Sequence, residues 1–344
     1  MTASLNPPRL TPFLAQFPKV ELHLHLEGSV RPETLRELAR CKGRLQAETA
    51  AWIADRDREG FRYGNFAEFL NAFKLLSLLL ETPADYALAT TRLVESLAAE
   101  NVRYAEITLS AGVILWKKQS VDAVFDAVAS AAAEVTQRLG VRVQWIFDAV
   151  RQFGADHARE VLHCASKLRG QGVVALGIGG DEVRGPVRLF ADVYREARDC
   201  GLHVTAHAGE SAGAESVRDA VELLGVERIG HGLAAARDPE VMALLRERQV
   251  PLEVCLTSNV ATGLLARVGD HPLPKFLGAG LAVTLSSDDP AMFNTTVAQE
   301  LALAADQFHL SNQQIVRLVQ NAIGSAFLSQ GERAALLAEL VAAN

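Results

Sequence analysis

The sequence has few cysteines and lacks the spacings that bind structural zinc or form a redox pair. Its 344 residues include only four cysteines, and no two of them form a CxxC motif. Thiolate zinc sites and dithiol redox motifs are therefore disfavoured. Four scattered cysteines in a chain of this length also do not make a disulfide framework.

Long apolar runs and positive charge are scarce as well. The apolar patch at residues 75–80 is interrupted by Ser77 and is far shorter than the ~20 residues of a membrane span. The first 16 residues contain no apolar run long enough for a signal peptide. The net charge of −7 disfavours general binding to nucleic acids or anionic membranes. We expect a cytoplasmic protein with a small-molecule partner; the sequence does not predict its oligomeric state.

The chain also lacks linkers and low-complexity blocks, and a regular pattern of short runs organises it. Apolar, β-branched runs that end in polar residues recur eight times. After the first run, successive starts lie 23 to 39 residues apart, about the size of one strand–helix repeat. The runs cover residues 19–28, 102–110, 141–150, 173–182, 202–210, 227–232, 250–259 and 281–290.

Helix-like stretches separate these runs, so the sequence predicts an α/β fold, a (β/α)₈ TIM barrel that forms one domain over residues 1–344. An open doubly wound sheet is the alternative, but its first strand would normally end in a glycine-rich phosphate turn, and here it ends HLHLEG. Residues 29–101 are too many for one helix, and we expect a helical lid insertion over the barrel mouth. Residues 297–344 are predicted to form C-terminal helices.

Polar residues cluster at the ends of several predicted strands, where the active sites of such barrels lie. His23 and His25 are two residues apart, so both imidazoles would point into the barrel. Burying two imidazoles is costly unless something engages them, and zinc binds neutral imidazole nitrogen readily. With His207 and Asp288 from other strands they form a candidate catalytic metal site. Hydrogen-bonded core histidines are the alternative for the pair alone.

Four further strand-end residues could act beside such a metal. Glu210 could donate a proton in a dry pocket, or could be a carboxylate at a helix start. His231 could orient metal-bound water, or could be a satisfied core histidine. Asp289 could bind substrate, or could cap a helix that begins at Pro290. Gly180 could let a ligand approach the backbone, or could form a turn.

Together these residues resemble the adenosine deaminase family, within the metal-dependent amidohydrolase barrels. The matching motifs occur in the family's order and extend over residues 19–290. They are HLHLEG (23–28), GGDE (179–182), HAGE (207–210), RIGHG (228–232), LTSN (256–259) and SSDDP (286–290). Each motif is short, but the ordered set is specific.

The resemblance implies a function and a role for each candidate residue. One zinc ion would be bound by His23, His25, His207 and Asp288. His231 would orient or deprotonate zinc-bound water for attack on C6 of a 6-aminopurine nucleoside, and Glu210 would protonate ring N1. Asp289 would hold N7, the Gly180 N–H would hold N3, and His25 would also contact the substrate. Ammonia leaves and a 6-oxopurine remains, as when adenosine becomes inosine.

Two departures from the family leave the exact substrate open. Adenosine deaminases usually have Asp, which contacts the ribose 5′-hydroxyl, where this chain has Glu27. The resemblance implies that Glu27 binds the substrate there and, being one methylene longer, alters the place of its 5′ end. The second strand ends TLSA (108–111) instead of Arg-Tyr-Ser-Pro. Phe69 and Phe73 resemble lid phenylalanines over the purine, but, four apart on a helix, they could equally be packing residues. Adenosine is the first expectation; aminodeoxyfutalosine, which carries a bulky 5′ substituent, and then adenine are the alternatives.

Other classes of function have weaker support. The HxH strand alone would permit amide or phosphoester hydrolysis, but the resemblance links HAGE, RIGHG and SSDDP together to aminopurine deamination. A non-catalytic relative would have lost a ligand or the acid, and none is missing. The HxE…PCxxC signature of cytidine-deaminase-type enzymes is absent, which disfavours RNA deamination.

Overall fold

Eight parallel strands form the barrel, and each strand pairs with the next one along the chain. The computed structural model describes residues 9–41, 55–56 and 60–342. The strands are β1 (Lys19–His25), β2 (Val102–Leu109), β3 (Arg142–Val150), β4 (Val173–Gly179), β5 (His203–Ala208), β6 (Arg228–His231), β7 (Leu252–Val254) and β8 (Val283–Leu285). The predicted TIM-barrel fold is confirmed.

The residues that follow β8 connect the last strand to the first. The His25 N–H donates to the Asp288 carbonyl at 2.9 Å, and the Asp288 N–H donates to the His23 carbonyl at 3.1 Å. These bonds hold Asp288 beside the carboxyl end of β1. The nearly closed barrel therefore brings an acid from its last strand next to the two histidines of its first.

Helices alternate with the strands and cover the outside of the barrel. The α-helices are α1 (Pro12–Gln16), α2 (Pro32–Cys41), α3 (Phe66–Leu79), α4 (Pro83–Ala99), α5 (Ala111–Trp116), α6 (Val121–Leu139), α7 (Gly154–Leu168), α8 (Ala191–Asp199), α9 (Ala214–Asp219), α10 (Pro239–Arg248), α11 (Leu256–Ala261), α12 (Leu273–Gly278), α13 (Pro290–Phe293), α14 (Val297–Phe308), α15 (Asn312–Ser325) and α16 (Gln330–Ala342). Within the described ranges, no helix has both the length and the apolar character needed to cross a membrane.

Local sequence signals explain where the outer helices begin and end. Helix α6, for example, begins after Ser120, whose hydroxyl accepts the Ala123 N–H at 3.2 Å, and ends at Gly140 in the left-handed conformation. Its buried face includes Phe125, which packs edge-on against Phe147 of β3 with ring centroids 5.4 Å apart. Alternate residues of a strand thus contact the helices, while the others face the barrel interior.

The insertion after β1 is mainly helical in its described part. Helices α2, α3 and α4 lie within the predicted range 29–101, of which residues 42–54 and 57–59 lie outside the described part of the chain. Helix α3 begins after Asn65, whose side chain accepts the Glu68 N–H at 3.0 Å. Phe66, Phe69 and Phe73 of this helix line the cavity at the barrel mouth. The predicted tail forms α14, α15 and α16; residues 343–344 lie outside the described part.

A small apolar cluster lies inside the barrel below its polar mouth. Ile146 of β3 and Ala175 of β4 pack there with Phe327, which follows α15. The charged side chains of Arg228 and Glu106 contact Phe327 at the same level. Towards the carboxyl ends of the strands the interior carries histidines and carboxylates, nearly all of them buried. The apolar cluster and these charged neighbours therefore form the floor beneath the mouth.

Candidate active site

Four side chains from β1, β5 and the end of β8 converge at the mouth of the barrel. His23, His25, His207 and Asp288 each offer a ligand atom, and these atoms all lie within 4.8 Å of one another. The Nε2 atoms of His25 and His207 are 3.2 Å apart. Asp288 Oδ1 lies 3.3 Å from His23 Nε2 and 3.4 Å from His25 Nε2. The four predicted ligands thus surround one point.

The orientation of two of the imidazoles fits a metal ion at that point. His23 Nδ1 lies 2.9 Å from Glu253 Oε2, and His207 Nδ1 lies 3.2 Å from the Ile178 carbonyl. Each contact assigns the ring proton to Nδ1 and leaves the lone pair of Nε2 facing the centre. His23 Nε2 is buried and has no hydrogen-bond partner among the described residues. Three imidazoles and one carboxylate are a donor set that zinc accepts.

The electrostatic surroundings of the cluster also favour a cation. Burial opposes the charged form of His23, but Asp288 and Glu253 overcome it and raise the pKa of His23 to about 10. Burial lowers the pKa of His25 to about 4 and holds the pKa of His207 well below its usual value. Burial opposes the charge on Asp288 too, yet the neighbouring histidines hold its pKa well below the usual range. His25 and His207 are therefore neutral, the form that binds metals, whereas the two carboxylates favour a positive charge at His23, where a metal ion would take the place of the proton on Nε2.

A second set of three groups shares one of these residues. His231, Cys255 and Asp288 also place ligand atoms within 4.8 Å of one another. Burial raises the pKa of the Cys255 thiol well above its usual value, which disfavours the thiolate that a metal would bind. The four-residue set is therefore the better candidate centre.

Two residues of the site have a strained backbone. His231 has a φ of 62° and Asp288 a φ of 63°, in the left-handed region that non-glycine residues rarely adopt. Such strain persists only where the surrounding structure over-determines it, and it clusters at functional sites. Both side chains are turned towards the cluster as a result.

Glu210 and His231 face each other beside the cluster. His231 Nε2 lies 3.5 Å from Glu210 Oε1 and 3.9 Å from Asp288 Oδ2. The Asn259 side-chain amide lies 3.3 Å from His231 Nδ1 and fixes the ring from its other edge. Burial, reinforced by Asp288, raises the pKa of Glu210 well above its usual value. Glu210 precedes α9 without capping it, because Gly213 is the residue at that N-cap.

The Glu182 carboxylate holds the backbone that carries Glu210. It accepts the N–H groups of Gly209, Glu210 and Ser211, each at 2.8 Å, and the hydroxyl of Ser216 at 2.5 Å. Glu182 is only 2% exposed, so these bonds are shielded from water. The sequence places Glu182 in the GGDE motif but gives no signal for this positioning role.

Asp289 has the position of a helix cap but does not act as one. It precedes Pro290 at the start of α13, yet its side chain makes no capping hydrogen bond. Its Oδ1 is buried and has no hydrogen-bond partner among the described residues. A Cβ on Gly28 would lie 1.6 Å from that oxygen, so the glycine makes room for the carboxyl. Burial and the nearby Asp288 charge raise the pKa of Asp289 well above its usual value.

The remaining predicted contact residues differ in their surroundings. Gly180, with a φ of 99°, and Phe73 both line the cavity, and the Phe73 ring lies edge-on to His25 at 6.2 Å. Phe69 also reaches the cavity but is 7% exposed and packs on Phe293 at 5.1 Å between ring centroids. Phe69 therefore combines the two predicted alternatives, lid contact and packing.

Glu27 does not reach the cavity surface. Its side chain is fully buried, its Oε1 accepts the Ser110 N–H at 3.1 Å, and its Oε2 has no hydrogen-bond partner among the described residues. Burial raises the pKa of Glu27 to about 7. Among the described residues Ser110 lines the cavity and Glu27 does not. The predicted contact between Glu27 and the 5′ end of a substrate would require the cavity wall at Ser110 to rearrange.

The cavity of about 490 Å³ extends well beyond the histidine cluster. We call the part around the four clustered residues, Glu210 and His231 the reaction end. The part lined by Lys74, Trp116, Phe153 and Arg184 is the far end. There the rings of Trp116 and Phe153 stack at 5.9 Å, and Lys74 Nζ lies 5.8 Å from the Trp116 ring.

A buried charge network lies beneath the reaction end and was not predicted. Arg228 donates through Nε to Glu253 Oε1 and through Nη2 to Glu106 Oε2, each at 2.5 Å. Glu253 in turn contacts His23. Glu106, Arg228 and Glu253 lie on three different strands, so their spacing in the chain does not indicate that they pair. The only signal in the sequence is that Arg228 belongs to the RIGHG motif.

The barrel and the cluster at its mouth define an amidohydrolase-type hydrolase whose histidines and aspartate could bind a metal. Residues 18–343 match the model of the adenosine deaminase family, and the chain belongs to that family. It is therefore a deaminase that acts on an aminopurine-type substrate.

Similar proteins differ in the substrate that their names give. The chain is 35% identical over 330 residues to an aminodeoxyfutalosine deaminase of Streptomyces avermitilis, covering 95% of this chain and 91% of that protein. It is 36% identical over 323 residues to an adenine deaminase of Rhizobium rhizogenes, covering 94% and 98%. A crystal structure of an amidohydrolase from Burkholderia ambifaria, with bound Zn, is 26% identical with a TM-score of 0.88, covering 99% and 95%.

Proposed function

We propose that this protein catalyses the zinc-dependent hydrolytic deamination of a 6-aminopurine nucleoside, adenosine or a close analogue, with release of ammonia. The observation that carries the proposal is the convergence of four ligand atoms within 4.8 Å, with Glu210 and Asp289 facing the same cavity. The zinc of the similar B. ambifaria structure supports the choice of metal. One metal ion suffices, because the four residues surround a single point.

Zinc, when bound, would supply a Lewis acid that lowers the pKa of water. His231 faces the same point, orients the water and accepts its proton as the water adds to C6. The buried Glu210 carboxyl favours its neutral form, so it can donate a proton to ring N1. The Asp289 carboxyl, also neutral, donates a hydrogen bond to N7, and the Gly180 N–H donates to N3. The proton that His231 accepted then passes to the C6 amino group, which leaves as ammonia. The proton of the C6 hydroxyl returns to the Glu210 carboxylate, and a 6-oxopurine remains.

The shape of the cavity supports a nucleoside in preference to a free base. A flat purine would occupy the region between the reaction end and Phe73. The cavity continues from there past Ser110 and Gln152 to the far end, which a base alone would leave filled with water. A sugar on N9 would extend into this space and exclude that water.

A second candidate substrate is a nucleoside with an extended 5′ substituent, such as the aminodeoxyfutalosine named for the Streptomyces relative. The observation that favours it is the far end itself, where Trp116 and Phe153 offer stacked aromatic faces next to two cationic side chains. Adenine, named for the Rhizobium relative, is the third candidate. It would use only the reaction end.

An ultraviolet assay of the zinc-loaded enzyme tests the proposal. Adenosine, 5′-substituted adenosines including aminodeoxyfutalosine, and adenine are compared by kcat/KM, with the metal-free enzyme as control. We expect turnover that depends on zinc and that is faster for a nucleoside than for adenine. A zinc-loaded enzyme that deaminates none of the nucleosides would contradict the proposal. A preference for one nucleoside over the others would identify the 5′ group of the substrate.

A further inference from the structure

Asp148 is a buried carboxyl that faces the cavity and has no part in the proposed mechanism. It lies on β3, is 6% exposed and lines the cavity. Ile146, two residues earlier, packs inside the barrel against Ala175, whereas Phe147 points outwards to α6. Asp148 therefore shares the interior face of β3 and stands one layer above this apolar cluster.

Two glycines of the neighbouring strand make room for this carboxyl. Asp148 pairs with Gly177 in the register of β3 and β4. A Cβ on Gly177 would lie 2.9 Å from Asp148 Oδ1, and a Cβ on Gly179 would lie 3.1 Å from Oδ2. Any other residue at either position would crowd the acid. The GIGG sequence of β4 thus preserves the space that the carboxyl occupies.

No ion pair compensates the burial of Asp148 among the described residues. Arg151 is near, but its two Nη atoms donate to the carbonyls of Gly185 and His207. Burial raises the pKa of Asp148 to about 7, although Arg151 and a hydrogen bond from the Gly179 N–H oppose the rise. A buried carboxyl with one backbone hydrogen bond and no ion pair is unfavourable, and a further donor on a bound ligand would relieve that penalty. The side of Asp148 open to such a donor is the side that faces the cavity.

We propose that Asp148 accepts a hydrogen bond from a ribose hydroxyl and thereby selects nucleosides over the free base. This inference rests on the proposed function, in which N3 faces the Gly180 N–H. In a purine N9, which carries the sugar, is separated from N3 by one carbon atom. A sugar beside Gly180 lies over β3 and β4, where two carboxyls line the cavity. Asp181 already accepts the N–H groups of Val183 and Arg184, so Asp148 is the better candidate acceptor.

The first test uses the wild-type zinc enzyme and needs no variant. Adenosine is compared with 2′-deoxy-, 3′-deoxy- and 5′-deoxyadenosine by kcat/KM. We expect one of the three to be slower by about 10- to 100-fold, because the missing hydroxyl leaves the buried Asp148 carboxyl with one hydrogen bond fewer. Similar values for all four nucleosides would overturn the inference but not the proposed function. No turnover of any nucleoside would instead contradict the proposed function.

The second test asks whether Asp148 is the acceptor. In Asp148→Ala the ratio between adenosine and the slow deoxy analogue should fall to about 1, while adenine turnover and zinc affinity, measured by chelator competition, stay unchanged. Val113→Ala, at another cavity-lining position, is the control and should keep the wild-type ratio. Should Asp148→Ala not fold, Asp148→Asn keeps the volume and should lower the ratio part of the way, because a neutral acceptor binds the hydroxyl less strongly.

Three outcomes would overturn the inference. An unchanged ratio in a folded variant would mean that another group binds the hydroxyl. A parallel loss on all substrates together with weaker zinc binding would mean that Asp148 supports the nearby His207. A loss confined to adenine would mean that the carboxyl binds the N9–H of the free base.

Discussion

The reaction end and the far end of the cavity are built differently. At the reaction end nearly every functional side chain has a buried partner: Glu253 holds His23, a backbone carbonyl holds His207, and Glu182 holds the loop of Glu210. At the far end Trp116 is 45% exposed and the Arg184 side chain 76% exposed. The chemistry needs fixed geometry, whereas binding of the substrate's remote part tolerates variation.

This contrast explains why similar proteins share a reaction but carry different substrate names. A change at the reaction end would disturb several buried partners at once, because each group is held by another. A change at the far end alters an exposed wall and leaves the barrel intact. Changes at the reaction end should therefore affect catalysis or zinc binding, whereas changes at packing residues outside it should affect mainly stability.

The largest effect is expected at the proton donor. Glu210→Gln keeps the shape of the side chain but removes its proton, so kcat should fall by about 10²- to 10⁴-fold. Zinc content and melting temperature should remain those of the wild type. The control Glu215→Gln, an exposed position five residues along the chain, should keep its activity. A Glu210→Gln enzyme with wild-type kcat would show that the reaction end does not depend on this acid.

A smaller effect is expected where one residue acts through another. Glu253→Gln weakens the acceptor that orients His23, so zinc affinity should fall by about 10- to 100-fold. Chelator competition measures that affinity without any assay of turnover. Glu247→Gln on the exposed face of α10 is the control. Unchanged zinc affinity in folded Glu253→Gln would mean that the network beneath the site serves stability alone.

The two phenylalanines of α3 offer a comparison within one helix. Phe69 is largely buried between aromatic rings, so Phe69→Ala should lower the free energy of unfolding by about 3 kcal/mol or more. Phe73 lines the cavity beside His25, so Phe73→Ala should raise KM by about tenfold with little change in melting temperature. Denaturant unfolding and steady-state kinetics on both variants give the comparison. Equal effects of the two changes on KM would contradict the assignment of Phe69 mainly to packing.

The sequence predicts the barrel and the residues that converge at the reaction end, because both depend on short-range patterns. Apolar runs mark all eight strands, and the HxH spacing alone puts two imidazoles on one face. The predicted runs 250–259 and 281–290 extend beyond the last two strands, because β7 ends at Val254 and β8 ends at Leu285. The polar residues that follow form α11 and the strained turn at Asp288, so that this one ligand is presented by a turn and not by a strand.

The positioning residues and the far end could not be predicted, for a physical reason. Glu182 and Glu253 act on residues from other strands, so their partners depend on the register of the barrel and not on spacing in the chain. Glu27 was assigned to the substrate by its place in a motif, but its burial behind Ser110 depends on how β1 and β2 pack. Likewise, the stack of Trp116 on Phe153 joins the end of α5 to the turn that follows β3, two segments that are distant in sequence.

His271 belongs to neither end of the cavity, and changing it should affect stability without affecting catalysis. Its side chain is buried, and Nδ1 accepts the Leu273 N–H at 2.9 Å. Burial, with a smaller contribution from His231, lowers the pKa of His271 to about 3. In the unfolded chain the pKa of this histidine is ~6.5. Between these two values the unfolded state binds a proton that the folded state does not. Acidification through this window therefore destabilises the fold, by at most about 1.4 kcal/mol per pH unit.

His271→Asn removes this titration while an amide oxygen can still accept the Leu273 N–H. Its free energy of unfolding should therefore fall less steeply than that of the wild type as the pH drops from about 7 to about 5. Denaturant unfolding at several pH values measures the two slopes, and the active-site histidines cancel because both proteins contain them. Zinc affinity and kcat/KM near neutral pH should be the same in both. Parallel slopes would mean that His271 gains a proton in the folded state, and a loss of activity would extend the reaction end to this loop.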